Sequence, residues 1–178
     1  MLATNNSSHS VPQYVDKLAR MGVQVEPREI LTSAQATANY LVKISRKGTR
    51  ISVIGGDGLR SSLQQHGFRI TDENPAFVVV GLDRKLNWDK LDLAVINIRA
   101  GAVFVGTNAD STYPNEHGFG IGNGAILAAL QTATDETPIV IGKPENPLYD
   151  QALQRMGTTP AKTLVIGDRL ETDILGAH

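Results

Sequence analysis

The 178-residue sequence contains no cysteine, which excludes disulfide bridges and catalytic or metal-binding thiolates. Aromatic residues make up only 5% of the chain, so a folded core would consist mainly of aliphatic side chains. No apolar run approaches the length of a membrane-spanning helix, and the first residues lack the charged and then apolar pattern of a signal peptide. We therefore expect a cytoplasmic protein that does not bind membranes.

The chain also lacks an excess of charge of either sign, because its formal net charge is −1 and it has no long basic run. Binding to a phosphate backbone requires clustered lysine and arginine, so the sequence argues against nucleic acid as a partner. The hydrophobic content of 41% is ordinary for a globular protein and sufficient for a buried core.

Short apolar runs alternate with segments of helical spacing along nearly the whole chain. The predicted strands lie at 50–54, 77–80, 102–105, 139–141 and 163–166, and predicted helices separate them. This alternation predicts a largely parallel α/β architecture. The spacing of Trp88, Leu91, Val95 and Ile98 predicts the buried face of one helix, and residues 107–120 are predicted to form a long polar loop.

Three of the apolar runs end in polar residues. The run at Leu2 continues into Thr4-Asn5-Asn6, residues 139–141 continue into Gly142-Lys143-Pro144, and residues 164–166 continue into Gly167-Asp168. If these strands are parallel neighbours, their polar ends meet at one edge of the sheet, where open α/β folds bind ligands. A hydroxyl, backbone N–H groups and an ammonium suit a phosphate dianion, whereas a carboxylate suits Mg²⁺. Phosphoryl transfer needs these groups for positioning and charge neutralisation.

Each motif alone also fits a simpler interpretation. Thr4-Asn5-Asn6 is typical of a turn or a helix cap, and a lysine before proline, as at Lys143, is usually on the solvated surface. Gly56-Asp57-Gly58 after a strand resembles half of a dinucleotide-binding fingerprint. Because Ser61 stands where the third glycine belongs, a plain strand-to-helix turn is favoured.

Taken together and in order, the motifs resemble those of the haloacid dehalogenase (HAD) superfamily. The resemblance is to its capped subfamily IIA, the 4-nitrophenylphosphatase-like and N-acetylglucosamine-operon phosphatase-like proteins, and it covers essentially the whole chain. Thr4 to Ser8 match the second motif of the family, Gly142 to Pro144 the third, and Gly167 to Asp173 the fourth. The end of the cap is matched by Thr107 to Asp110, followed by Pro114 and by Gly122 to Gly124.

The resemblance implies a phosphate site at two of these motifs. Thr4 would donate its hydroxyl to the phosphate of a small phosphomonoester, with Asn5 and Asn6 beside it. Lys143 would neutralise both the phosphate and an attacking carboxylate. Phosphate transfer would proceed through an aspartyl-phosphate intermediate that water then hydrolyses.

The resemblance also implies a Mg²⁺ site and a substrate loop. Asp168 would ligate Mg²⁺, and Asp173 would ligate the ion or orient a water bound to it. Lys143 and Asp168 would be the catalytic residues. Asn108 and Asp110 either face the substrate or belong to a turn-rich loop. A homodimer through the cap is a further expectation that the family suggests.

By the same resemblance, residues 1–31 and 139–178 would form a partial HAD core and residues 32–138 an inserted C2-type α/β cap. The family's nucleophile lies in an Asp-x-Asp triplet at the end of the first core strand, and no two aspartates of this chain are two positions apart. We therefore expect a chain truncated at both ends, lacking the first core strand and inactive alone. The alternative is a non-catalytic phosphate-binding, metal-binding or assembly module derived from the same fold.

Overall fold

The computed structural model describes residues 1–177 of the chain. The helices are α1 (Val11–Arg20), α2 (Ser33–Ile44), α3 (Asp57–Gln65), α4 (Trp88–Arg99), α5 (Asn123–Thr134) and α6 (Asn146–Met156). The strands are β1 (Leu2–Thr4), β2 (Ile30–Thr32), β3 (Arg50–Ile54), β4 (Arg69–Ile70), β5 (Phe77–Val80), β6 (Val103–Gly106), β7 (Thr112–Asn115), β8 (Gly118–Ile121) and β9 (Ile139–Val140). Within these residues no helix has both the length and the apolar character needed to cross a membrane.

A five-stranded parallel sheet forms the centre of the molecule, in the order β4-β3-β5-β6-β9. Its central strands are rich in valine and isoleucine because both of their faces are buried. One face packs into an apolar cluster with side chains of α2, α3 and α6, and the other face packs into a second cluster with side chains of α4 and α5. The predicted parallel α/β architecture is therefore confirmed.

A separate pair of parallel strands, β1 and β2, lies beside this sheet, with Leu2 opposite Ile30 and Thr4 opposite Thr32. The strand β9 pairs with β6 although it lies just beyond the predicted end of the cap at residue 138. The division of the chain into a core domain (1–31 and 139–178) and a cap domain (32–138) stays a prediction.

Residues 163–166, predicted to be a strand, do not form one. A strand needs a neighbour for its backbone hydrogen bonds, and among residues 1–177 no strand pairs with this segment. Leu164 and Ile166 are consequently 83% and 88% exposed. A groove of about 450 Å³ lies between this segment and β1, lined by Ala3 and Val165 among others.

Two other predictions need correction. Trp88 is 78% exposed, because it is the first residue of α4 and the helix buries its later residues, among them Ala94 and Ile98. Within the predicted loop 107–120, β7 and the first residues of β8 form an antiparallel hairpin that extends to residue 121. The strand signal was weak there because one strand contains a proline and the other contains two glycines.

Two glycines, one in the first turn of α3 and one directly after β5, allow close contact with the loop that follows β1. A Cβ atom on Gly58 would lie 2.6 Å from the backbone of His9, and one on Gly81 would lie 2.6 Å from Ser7 Oγ. The N–H of Gly58 donates to the carbonyl of Ser8 at 3.1 Å. The first turn of α3 therefore contacts the protein's own backbone, which supports a plain turn at Gly56-Asp57-Gly58 over a dinucleotide site.

Candidate active site

A polar cavity of about 250 Å³ lies where four loops meet. The loops follow β1, β6 and β9 and precede the helical turn at Leu170–Ile174. Every residue that the sequence predicted for the site lines this cavity: Thr4, Asn5, Asn6, Asn108, Asp110, Lys143, Asp168 and Asp173. Leu82, Tyr113, Asn123 and Arg169 also line it.

The loop after β1 presents the hydroxyl of Thr4. Its oxygen accepts a hydrogen bond from the N–H of Asn6 at 3.2 Å, and the hydroxyl is also a hydrogen-bond neighbour of the Tyr14 side chain. The side-chain oxygen of Asn6 accepts from the N–H and the hydroxyl of Ser8, at 2.8 and 2.9 Å. Asn6 therefore shapes the loop with its oxygen, while its amide hydrogens have no partner among residues 1–177.

The buried side chain of Asn5 joins three of the loops. Its oxygen accepts from the N–H of Lys143 at 2.7 Å, and its nitrogen donates to the carbonyl of Lys143 at 2.9 Å and to Asp110 Oδ1 at 3.1 Å. A Cβ on Gly142 would lie 2.6 Å from Asn5 Oδ1, so the glycine permits this contact. Asn5 therefore positions Lys143 and Asp110. Both hydrogens of its side-chain amide are used in these contacts, so the amide has no donor left for a phosphate.

The ammonium of Lys143 pairs with the carboxylate of Asp173 at 2.5 Å and also donates to the carbonyl of Ala3 at 3.2 Å. Both side chains of the pair are largely buried. Burial by itself would raise the pKa of Asp173, but Lys143 and the N–H groups of Arg169 and Asp168 hold that pKa below its usual value. Asp173 is therefore an ionised carboxylate that holds Lys143 at the cavity.

Asp168 differs from Asp173 in its surroundings, because it is exposed and lines the cavity. Its carboxylate has no hydrogen-bond or salt-bridge partner within the described part of the chain. The neighbouring Arg169 directs its guanidinium toward Asp110, with Nη1 3.9 Å from Oδ1. Sequence reasoning gave Arg169 no role, although it lies inside the fourth motif.

The loop after β6 combines buried and accessible polar groups. Asn108 donates to the carbonyl of Asn5 at 2.8 Å and accepts from the N–H of Asp110 at 3.2 Å, so this buried side chain braces the loop. Asp110 extends toward the cavity. Asn123, which begins α5, donates to the carbonyl of Asn108 at 2.8 Å. The Gly-Asn-Gly pattern indicated a helix start but gave no sign of this contact.

The donor set partly fits a magnesium ion. Mg²⁺ is commonly held by one or two carboxylates together with phosphate oxygens and water, and Asp168 offers such a carboxylate. Asp173 does not offer one in this arrangement, since its two oxygens accept from Lys143 and from the N–H of Arg169. Over residues 1–177 no group of three or more acidic or histidine side chains is arranged to hold a metal.

Two family models match the chain. The first is described as haloacid dehalogenase-like hydrolase and matches residues 1–69, and the second, described as HAD-hydrolase-like, matches residues 140–178. These two segments contain the loop after β1, Lys143, Asp168 and Asp173, which contribute most of the cavity's charged groups.

Whole-chain relatives extend the match through the intervening residues. The 5'-nucleotidase YutF of Bacillus subtilis is 36% identical over 175 residues, which cover 98% of this chain and 68% of the relative. A double mutant of a thermostable NPPase from Geobacillus stearothermophilus superposes with a TM-score of 0.94 at 39% identity, covering 98% of this chain and 70% of that one. A glycerol phosphate phosphatase of Mycobacterium tuberculosis, in complex with magnesium, superposes with a TM-score of 0.92 at 38% identity, covering 98% of this chain and 54% of that one.

The relatives carry the names of phosphatases, and their likeness extends over sequence and fold alike. The resemblance seen in the ordered motifs is thus confirmed: the chain belongs to the haloacid dehalogenase-like hydrolases, among the capped phosphatases of the 4-nitrophenylphosphatase-like subgroup.

Proposed function

We propose that the chain represents a Mg²⁺-dependent phosphatase of small phosphate monoesters that works through an aspartyl-phosphate intermediate. The observation that carries the proposal is the meeting of Thr4, Lys143 and Asp168 at one cavity. A hydroxyl donor and an ammonium in one cavity provide the charge neutralisation that phosphoryl transfer requires. The names of the relatives, a 5'-nucleotidase and a glycerol phosphate phosphatase, support phosphate monoesters of small alcohols as the substrate class.

Each group has a defined part in this proposal. Thr4 donates its hydroxyl to a phosphate oxygen, and Lys143 neutralises the phosphate while Asp173 keeps its ammonium in place. Asp168 would hold Mg²⁺, which when bound supplies positive charge beside the phosphate. Asn5 positions Lys143 by two hydrogen bonds to its backbone.

The covalent step requires a nucleophilic carboxylate. Its oxygen would attack phosphorus, the ester P–O bond would break, and the leaving alcohol would take its proton from a general acid, a role that the resemblance also gives to the Asp-x-Asp triplet. Water would then cleave the acyl phosphate to regenerate the carboxylate and release phosphate. Within the 178 residues no Asp-x-Asp triplet is available for this role, so we propose that these residues alone bind phosphate without turnover.

The decisive comparison is between the 178 residues alone and the same residues preceded by a strand that ends in Asp-x-Asp. We expect Mg²⁺-dependent phosphate release from an aryl phosphate by the longer protein, and none from the 178 residues. The control is the longer protein with its first triplet aspartate changed to asparagine. A longer protein that folds but releases no phosphate from a broad panel of phosphate esters would favour the non-catalytic module, and turnover by the 178 residues alone would contradict the proposed inactivity.

A further inference from the structure

The segment that carries Asp168 and Asp173 is not anchored by a strand, since residues 163–166 pair with no strand among residues 1–177. After Asp168 the chain forms one short helical turn, Leu170–Ile174. The N–H of Asp173 donates to the carbonyl of Arg169 at 2.8 Å, and the N–H of Arg169 donates to Asp173 Oδ2 at 3.3 Å. Because Arg169 directly follows Asp168, the position of this turn decides where the exposed Asp168 carboxylate lies.

Tyr149, in the first turn of α6, donates to the backbone of this helical turn. Its hydroxyl oxygen lies 3.1 Å from the carbonyl oxygen of Thr172 and 3.2 Å from that of Asp173. A hydroxyl has one hydrogen to donate, so the two carbonyls share it. A Cβ on Gly176 would overlap the ring of Tyr149, so the glycine allows the ring to approach. The tyrosine thus fastens the turn to α6.

Lys143 and Tyr149 hold the same aspartate in two different ways. Lys143 lies three residues before α6, and its ammonium pairs with the side chain of Asp173, whereas Tyr149 contacts the backbone of Asp173. Together they fix both the side chain and the main chain of this residue. Without the tyrosine hydroxyl, the ion pair would be the remaining polar contact within residues 1–177 between 143–156 and the helical turn.

We infer that Tyr149 is a positioning residue of the proposed phosphatase site: its hydroxyl holds the turn that places the Asp168 carboxylate at the cavity with Lys143. Tyr149 lines the groove beside β1, whereas Asp168 lines the polar cavity, so the tyrosine acts through the turn. The inference rests on the proposed function, in which Asp168 holds Mg²⁺. Groups that orient a metal ligand from behind commonly matter about tenfold or more for metal affinity.

The first test is calorimetric titration of the 178-residue chain with inorganic phosphate at a series of Mg²⁺ concentrations. Tyr149→Phe keeps the ring against Gly176 and removes only the hydroxyl. We expect the Mg²⁺ concentration that gives half of the strengthening to rise about tenfold in this variant. Phosphate affinity without Mg²⁺ should change little, because Lys143 keeps its ion pair with Asp173. The matched control is Tyr40→Phe, at a ring that packs against the apolar cluster of α2, α3 and α6.

Amide hydrogen exchange, followed by mass spectrometry, provides a second readout that needs neither the ion nor phosphate. The N–H groups of residues 172–174 donate to the carbonyl of Arg169, and they exchange when the helical turn opens. Tyr149→Phe should speed their exchange about tenfold, the size of one hydrogen bond. Exchange in β3 and β5 should stay as it is in the unmodified chain.

Faster exchange at residues 172–174 together with a higher Mg²⁺ requirement supports the role of Tyr149. Unchanged exchange there, or faster exchange with an unchanged Mg²⁺ requirement, would overturn it, because the hydroxyl would then serve stability alone. Faster exchange throughout the chain would overturn it as well. An unmodified chain that binds no phosphate, or whose phosphate binding does not respond to Mg²⁺, would contradict the proposed function and, with it, this inference.

Discussion

Replacing Lys143 with alanine is expected to lower the free energy of unfolding by about 3 kcal/mol, because it leaves the carboxylate of Asp173 buried without its counterion. Removing one partner of a buried pair is costly, since the remaining charge was separated from water only in the presence of its partner. The carbonyl of Ala3 also loses its donor. Urea denaturation of the variant and the unmodified chain at neutral pH measures the difference.

Lys90 provides the matched control for this substitution. Its ammonium lies 2.7 Å from Asp83 Oδ2, but its side chain is 32% exposed where that of Lys143 is 13% exposed. The two carboxylates are about equally buried, at 7% and 9% exposed, but Asp83 keeps the N–H of Lys85 and the nearby charge of Arg60 when Lys90 is removed. Lys90→Ala should therefore cost less than Lys143→Ala, about 1 kcal/mol. Equal losses for the two variants would show that Asp173 does not depend on Lys143.

Changing Asn5 to aspartate is expected to destabilise the chain by about 2–4 kcal/mol, although the shape of the side chain is kept. An oxygen would replace the nitrogen that donates to the carbonyl of Lys143 and to Asp110 Oδ1, and would face both acceptors at about the same distances. Thermal and urea denaturation at pH 7 would measure the loss. Adding Asp110→Asn should recover part of the lost stability, because its amide can donate a hydrogen bond to the carboxylate introduced at position 5, which the Asp110 carboxylate would repel.

The neighbouring residue offers a control of the same chemistry. Asn6 uses its oxygen to accept three hydrogen bonds, from the N–H and hydroxyl of Ser8 and from the N–H of His9. A carboxylate can accept all three, so Asn6→Asp should change stability by less than about 1 kcal/mol. If Asn5→Asp were as harmless as Asn6→Asp, the hydrogen bonds assigned to Asn5 would be wrong.

The residues that line the cavity were largely predictable, because polar residues that follow parallel strands lie at the carboxyl ends of those strands, where α/β folds bind ligands. Thr4 directly ends β1 and Lys143 lies three residues beyond β9, but these strands belong to different sheets and are not the neighbours that the prediction assumed. Hydrogen bonds of Lys143 to Asn5 and to Ala3 hold the two loops at one cavity. Asp168 was predicted on the same argument and does line the cavity, although the strand expected before it is absent. The loop after it is held instead by hydrogen bonds of Asp173 to Lys143 and to the N–H of Arg169.

What the sequence did not reveal are contacts between residues far apart in the chain. Asn5 bonds to Lys143 and Asp110, more than 100 positions away, and no local pattern distinguishes such an asparagine from one in an ordinary turn. The same holds for Arg169 and Asn123, whose partners are set by how the loops pack.

The central claim is that Thr4, Lys143 and Asp168 form a phosphate site. Calorimetric titration of the chain with inorganic phosphate, with and without Mg²⁺, tests it most directly when Lys143→Ala and Asp168→Asn are measured alongside. We expect saturable phosphate binding that Mg²⁺ strengthens. Lys143→Ala should lower the phosphate affinity about a hundredfold or more, the size of a charge-assisted contact in a partly buried site. Asp168→Asn should abolish the effect of Mg²⁺. Binding that is unchanged in a folded Lys143→Ala variant, or no saturable binding by the unmodified chain, would contradict this claim.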